Sequence, residues 1–170
     1  AVDSDLRRPT LHKMFHFSNH MGLSNVLKQK ITLAEAVQHT INPEVHVLTS
    51  GPSPSNPAEL LSSPQMVALI EQLAQQFDIV LLDTPSLLAV ADAAVLAPIV
   101  DGVLLVVGRV PARTETVQAA RRQLEDVRAK SIGVVVNRVG QNANLYKYYS
   151  PIPKPKQRDV HNRGLPEQVL

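Results

Sequence analysis

The chain contains no cysteine. A disulfide scaffold, an iron–sulfur site, a thiolate zinc site and a cysteine nucleophile are therefore excluded. It also lacks an excess of charge of either sign. Seventeen basic and fifteen acidic side chains leave a formal charge of +2, a balance that does not point to a nucleic-acid partner. No basic segment followed by an apolar one opens the sequence, so no secretory signal is expected. One apolar run, Leu87 to Val107, has the length of a membrane span, but Asp92, Pro98, Asp101 and Gly102 interrupt it. Each aspartate would cost roughly 2.5–3.5 kcal/mol at a bilayer centre. That run reads instead as a buried helix leading into a buried strand.

What is present fits an ordinary globular domain. The 170 residues are 44% hydrophobic and 19% charged, enough for one core. Short β-type runs alternate with helical ones. Val45–Leu48, Asp78–Asp83, Gly102–Val107 and Ile132–Asn137 read as strands, and the last three are continuous apolar runs bounded by polar residues, as expected of interior strands of a parallel sheet. Thr32 and Glu35 have capping-box spacing, which predicts a helix over Ala34–His39. Pro57 opens a second helix. Met66, Leu69, Ile70 and Leu73 mark the buried face of a third over 65–76, and Val117, Ala120, Leu124 and Val127 that of a fourth over 114–129. The alternation predicts an α/β layered fold.

The ends differ in character. Ala1-Val2-Asp3 reads as the end of a strand, which ordinarily needs about five residues, so part of that strand is expected upstream. From residue 141 the sequence turns to tyrosine, alternating proline and basic residues: a tail, not core. The expected division is a domain over 1–140 and a flexible tail over 141–170.

In a parallel sheet, ligands gather at the carboxyl ends of strands. Two acidic motifs stand there: Asp3-Ser-Asp5-Leu-Arg7-Arg8-Pro9 and Asp83-Thr84-Pro85. Carboxylates brought together from neighbouring strands can hold Mg²⁺, although an aspartate at a strand end is also a common turn or cap residue. His12, His16 and His20, four apart, would line one face of a helix. They lack a third-ligand spacing that a zinc site usually adds, and Met21-Gly22 after His20 suggests that such a helix has ended.

Taken together, V-D-S-D-L-R-R-P resembles the Walker A′ motif of the bacterial tyrosine kinases, and I-V-L-L-D-T-P their Walker B motif. Gly22-Leu-Ser24 with Val26-Leu27 is similar to their G-L-S-x-x-L segment. The run from Ser50-Gly51 through Asn56-Pro57 and Glu59-Leu60-Leu61 is similar to their S-G-x-x-x-x-N-P-x-E-L-L segment. Asp92, Asp101, Arg109, Thr114 and the strand ending Asn137-Arg138 follow in the family's order, over about residues 1–140. Ser86 stands where many members have a second proline.

The resemblance implies a parallel-sheet, P-loop NTPase-like three-layer sandwich of the MinD/ParA-like superfamily and an ATP- and Mg²⁺-dependent protein-tyrosine autokinase. It implies that Asp3 faces the tyrosine hydroxyl as base or orienter, that Asp5 and Asp83 serve Mg²⁺, and that Asn137 and Arg138 lie at the adenine. Arg7 and Arg8 would stabilise phosphate charge or pair with Asp83; a solvated or structural salt bridge is the competing reading for each. A carboxylate is a weak base for a phenol of pKa ~10, but positioning and electrostatics dominate phosphoryl transfer.

All three tyrosines, Tyr146, Tyr148 and Tyr149, fall within four residues. They resemble the family's C-terminal phosphoacceptor cluster; the alternative is aromatics packed on a sheet edge. By resemblance, tails phosphorylated on neighbouring subunits would open a homo-oligomeric ring at the inner face of the cell membrane. A membrane activator, fused or separate, would accompany it, in the service of exopolysaccharide export.

One family motif is missing. G-x-x-x-x-G-K-[ST] occurs nowhere in the 170 residues. The fold is thus expected to be partial, without the first strand and phosphate loop, which would lie upstream, and to bind ATP weakly by itself. Two rival readings stand beside the kinase: a MinD/ParA-type ATPase switch that phosphorylates no protein, and a non-catalytic remnant that binds a partner.

Overall fold

A computed structural model describes residues 1–108 and 114–138, all within one unit, Ala1–Arg138. The order is β1 (Val2–Asp3), α1 (Leu11–Met14), α2 (Leu23–Leu27), α3 (Leu33–Ala36), β2 (Val37–His39) and β3 (His46–Leu48). Then come α4 (Pro57–Leu61), α5 (Pro64–Gln76), β4 (Leu82–Asp83), α6 (Asp92–Leu96) with a 3₁₀ turn (Ala97–Ile99), β5 (Val103–Val107), α7 (Thr114–Asp126) and β6 (Ser131–Val136). Four strands form one sheet in the order β2-β3-β1-β4; β5 and β6 form a separate parallel pair. β1 runs parallel to both β3 and β4, in a register that sets Val2 opposite Leu48 and Leu82, and Asp3 opposite Asp83.

The core lies against this sheet. α5 starts with Pro64 in its first turn, where a missing N–H costs nothing, and turns Met66, Leu69 and Leu73 inward at helical spacing. They join Val2, Leu6, Leu23, Leu48 and Leu61 in one buried cluster. Leu61 is fully buried, so Leu61→Ala should destabilise the fold by about 2–5 kcal/mol. Urea unfolding checks this, with the exposed Val67 as control: Val67→Ala should shift the midpoint far less.

Three expectations need correction. The capping box is present: Thr32 Oγ1 accepts from the N–H of Glu35 (3.3 Å), and the Glu35 carboxylate accepts from the N–H of Thr32 (2.7 Å). The helix it starts does not reach His39, however. Val37 leaves it at ψ 128° and begins β2, which pairs antiparallel with β3. A cap fixes where a helix starts, while the β-branched Val37 and a free sheet edge decide where it stops.

The apolar runs are also not interior strands among the described residues. β4 ends the four-stranded sheet, and Ile79 and Leu81 just before it are 76% and 66% exposed. Leu104 and Val106 of β5 and Ile132, Val134, Val135 and Val136 of β6 are exposed too, so the run from Leu87 leads into α6, partly buried, and then into an open strand. Parallel strands are ordinarily covered on both faces, so these surfaces are ones that a larger sheet would bury. Finally, α1 stops at Met14, and His16 takes a left-handed φ of 55°. His12, His16 and His20 therefore share no helical face.

Candidate active site

The site is built on the carboxyl ends of β1 and β4. Parallel pairing places Asp3 directly opposite Asp83, and the N–H of Ser4 donates to the Asp83 carbonyl at 2.8 Å. Beyond β1 the chain folds back on itself through its own carboxylates. Asp5 Oδ1 accepts from the N–H groups of Arg7 (3.1 Å) and Arg8 (2.8 Å), forming an Asx-type turn. Asp3 Oδ2 accepts from the N–H groups of Thr10 (3.0 Å) and Leu11 (2.9 Å), which brings the start of α1 down onto the strand end. Leu6, directly after Asp5, is completely buried and anchors the loop in the core.

The electrostatics are those of crowded acids. Burial raises the Asp3 carboxyl above its ordinary range, against the opposing pull of the Leu11 and Thr10 N–H groups. Asp83 is raised by desolvation and then by the negative charges of Asp3 and Asp5. Like charges held this close call for a cation. Asp3 Oδ1 is buried and has no partner, which buried polar oxygens rarely tolerate.

These acids fit Mg²⁺ in a particular way. Among the described residues no group of three or more acidic or histidine side chains is gathered tightly enough to cage a metal. Mg²⁺ seldom uses such a cage; it takes one or two carboxylates, keeps several waters and fills the rest from phosphate. Asp5 and Asp83, with the unpartnered Asp3 oxygen beside them, suit that pattern.

Arg7 does not pair with Asp83; the salt-bridge reading is the one the structure shows. It makes a two-pronged ion pair with Asp92, Nε to Oδ2 at 2.8 Å and Nη2 to Oδ1 at 2.9 Å. Asp92 is the first residue of α6 and is fully buried. The sequence carried a signal for it, a carboxylate within an apolar stretch, because a buried charge needs a partner. Arg8 makes no ion pair among the described residues.

The two other family-like segments lock together beside the site. The N–H groups of Leu23 and Ser24 donate to the carbonyls of Thr49 (2.7 Å) and Ser50 (2.9 Å), and Ser24 Oγ donates to the Pro52 carbonyl (2.7 Å). The Asn19 side chain joins Ser50 and Gly51. These residues shape the end of β3 and carry no evident chemistry. Asn137 and Arg138 follow β6; the Asn137 N–H donates to the Val107 carbonyl (2.8 Å) and both side chains are exposed. Arg109, Tyr146, Tyr148 and Tyr149 lie outside the described residues.

No family model matches the chain. Individual proteins do. Tyrosine-protein kinase YwqD of Bacillus subtilis is 41% identical over 136 residues, covering 80% of this chain and 57% of YwqD. The crystal structure of the VpsO kinase domain superposes with a TM-score of 0.77 at 34% identity, covering 82% of this chain and 69% of that domain. The chain belongs to the bacterial tyrosine-protein kinase family. Its α/β fold is the P-loop NTPase-like fold of these kinase domains. The same fold extends to cobyrinic acid a,c-diamide synthase from Mycobacterium smegmatis, solved with an ATP analogue and magnesium (TM-score 0.65, 16% identity). The chain spans a little over half the length of YwqD. Within the described residues, no helix of this tyrosine-kinase relative is long and apolar enough to cross a membrane.

Proposed function

We propose that the chain supplies the metal-binding half of the active site of an ATP-dependent protein-tyrosine autokinase. The observation that carries this reading is the Asp3–Asp83 register across parallel strands, with the Asp5 charge close enough to help raise the Asp83 carboxyl. Family membership supports the same chemistry. Asp5 and Asp83 would hold Mg²⁺ directly or through water, and the metal would neutralise charge on the transferred phosphoryl group. Asp3, with one oxygen free, would accept a hydrogen bond from the incoming tyrosine hydroxyl. Asn137 and Arg138 would approach the adenine.

The phosphate loop that the 170 residues lack would come from a polypeptide segment outside them, on a parallel strand against the open edge of β4. The exposed Ile79 and Leu81 support that placement. The acceptors would be Tyr146, Tyr148 and Tyr149 on a neighbouring subunit of a ring. The assembly would work with a membrane activator at the inner membrane face, controlling exopolysaccharide synthesis and export; here the support is the family resemblance.

Mass spectrometry of the full-length protein after incubation with ATP and Mg²⁺ tests the reading. Phosphate should appear on at least one of Tyr146, Tyr148 and Tyr149, and should be absent from an Asp5→Asn variant. ATP hydrolysis without phosphotyrosine would favour the MinD/ParA-type switch; neither reaction would favour the remnant.

A further inference from the structure

We infer that Asp92 is a positioning residue: through Arg7 it sets where Asp5 stands relative to Asp83. The inference rests on the metal-binding role proposed above for those two acids. Its starting point is a chain of contacts. Asp92 is completely buried and grips the Arg7 guanidinium with both oxygens. The backbone N–H groups of Arg7 and Arg8 in turn hold Asp5 Oδ1. Fixing the Arg7 side chain therefore fixes the peptide units that orient the Asp5 carboxylate.

The other end of the pair has a matching connection. Asp92 lies nine residues beyond Asp83, at the start of the helix that follows the β4 loop. The pair thus ties the loop carrying Asp5 to the segment carrying Asp83, across 85 residues of sequence. Backbone pairing already joins β1 to β4 at Asp3 and Asp83. Beyond the strand ends, the Arg7–Asp92 pair takes over. A guanidinium suits the task because its planar fork meets a carboxylate in one orientation only. Held this way, the Arg7 guanidinium is turned toward Asp92.

Asp92 is fully buried but the Arg7 side chain is 40% exposed, and an apolar replacement separates a positioning role from packing alone. Exchanging a buried ion pair for apolar residues of similar size is often neutral or stabilising, whereas removing one partner is strongly destabilising. Asp92→Asn and the double variant Arg7→Met/Asp92→Leu would be made in the full-length protein. Three quantities are read: thermal midpoint, ADP affinity by calorimetry with Mg²⁺ and with EDTA, and hydrogen exchange at the Arg7 and Arg8 N–H groups.

In Asp92→Asn, Mg²⁺-dependent ADP affinity should fall at least about tenfold, ADP affinity in EDTA should stay within about twofold, and the Arg7 and Arg8 N–H groups should exchange faster. The double variant should recover the thermal midpoint but not the metal-dependent affinity. Recovery of both would show the pair to be packing alone and overturn the inference, as would unchanged exchange at Arg7 and Arg8 in Asp92→Asn. If the wild-type protein shows no Mg²⁺-dependent ADP binding, the metal-binding reading fails, and the exchange data still decide whether Asp92 holds the Asp5 loop.

Discussion

Asp83→Asn is expected to lower autophosphorylation of the full-length protein by at least about 100-fold while making the metal-free fold more stable. The two effects share one cause. Partial desolvation and the charges of Asp3 and Asp5 raise the Asp83 carboxyl above the ordinary aspartate range. Between the unfolded and folded pKa values the folded state therefore holds more protons than the unfolded chain. Stability falls as pH rises through that window, and at pH 7 the ionised Asp83 opposes folding. Asparagine keeps the shape and removes the charge. Its thermal midpoint at pH 7 without metal should exceed that of the wild type, and the gain should vanish at a pH below both values. The stabilisation that Mg²⁺ with ADP gives the wild type should disappear. A metal-free midpoint below the wild-type value would show that Asp83 is held by stabilising contacts and is not one of a set of crowded acids.

Gly22→Ala is expected to be the most damaging small substitution in the fold. Gly22 is extended (φ 176°), so its backbone suits any residue. The obstacle is space. A Cβ there would lie 2.2 Å from the Thr49 carbonyl oxygen and 2.3 Å from the Gly51 nitrogen. Both are backbone atoms and cannot swing aside as a side chain could. The two segments would have to part, breaking the bonds from Leu23 and Ser24 to Thr49 and Ser50. A loss of about 3 kcal/mol or more is expected, measured by urea unfolding. Gly108→Ala, where the added carbon meets nothing within 4 Å, is the control and should stay within about 1 kcal/mol. Equal effects at the two positions would mean that the segments are not in contact.

Much of the site was legible in the sequence because its chemistry dictates residue types at defined places. Carboxylates at the ends of two apolar runs are what a strand-end metal site requires, and the register of β1 with β4 puts Asp3 and Asp83 side by side. The face of α5 was legible for a similar reason: Met66, Leu69 and Leu73 repeat at the period of a helix. What escaped depends on distant partners. A salt bridge was among the readings open for Arg7, but nothing local to it says that the partner lies 85 residues away. The end of α3 depends on whether Val37 finds a strand to pair with. The apolar composition of β5 and β6 records the environment of a complete sheet, while the described strands leave those faces open. The helix under the histidine row ends at Met14, earlier than the stop that Met21-Gly22 signalled, because periodicity alone does not mark a helix end.

The central claim is that Asp5 and Asp83 share the metal of a bound nucleotide. A crystal structure of the full-length protein with ADP and Mn²⁺ tests it most directly, through the anomalous signal of the manganese. The account predicts one peak between those two carboxylates and the β-phosphate, in direct contact or one water away. A nucleotide bound with its metal elsewhere, leaving Asp5 and Asp83 to solvent, would contradict it.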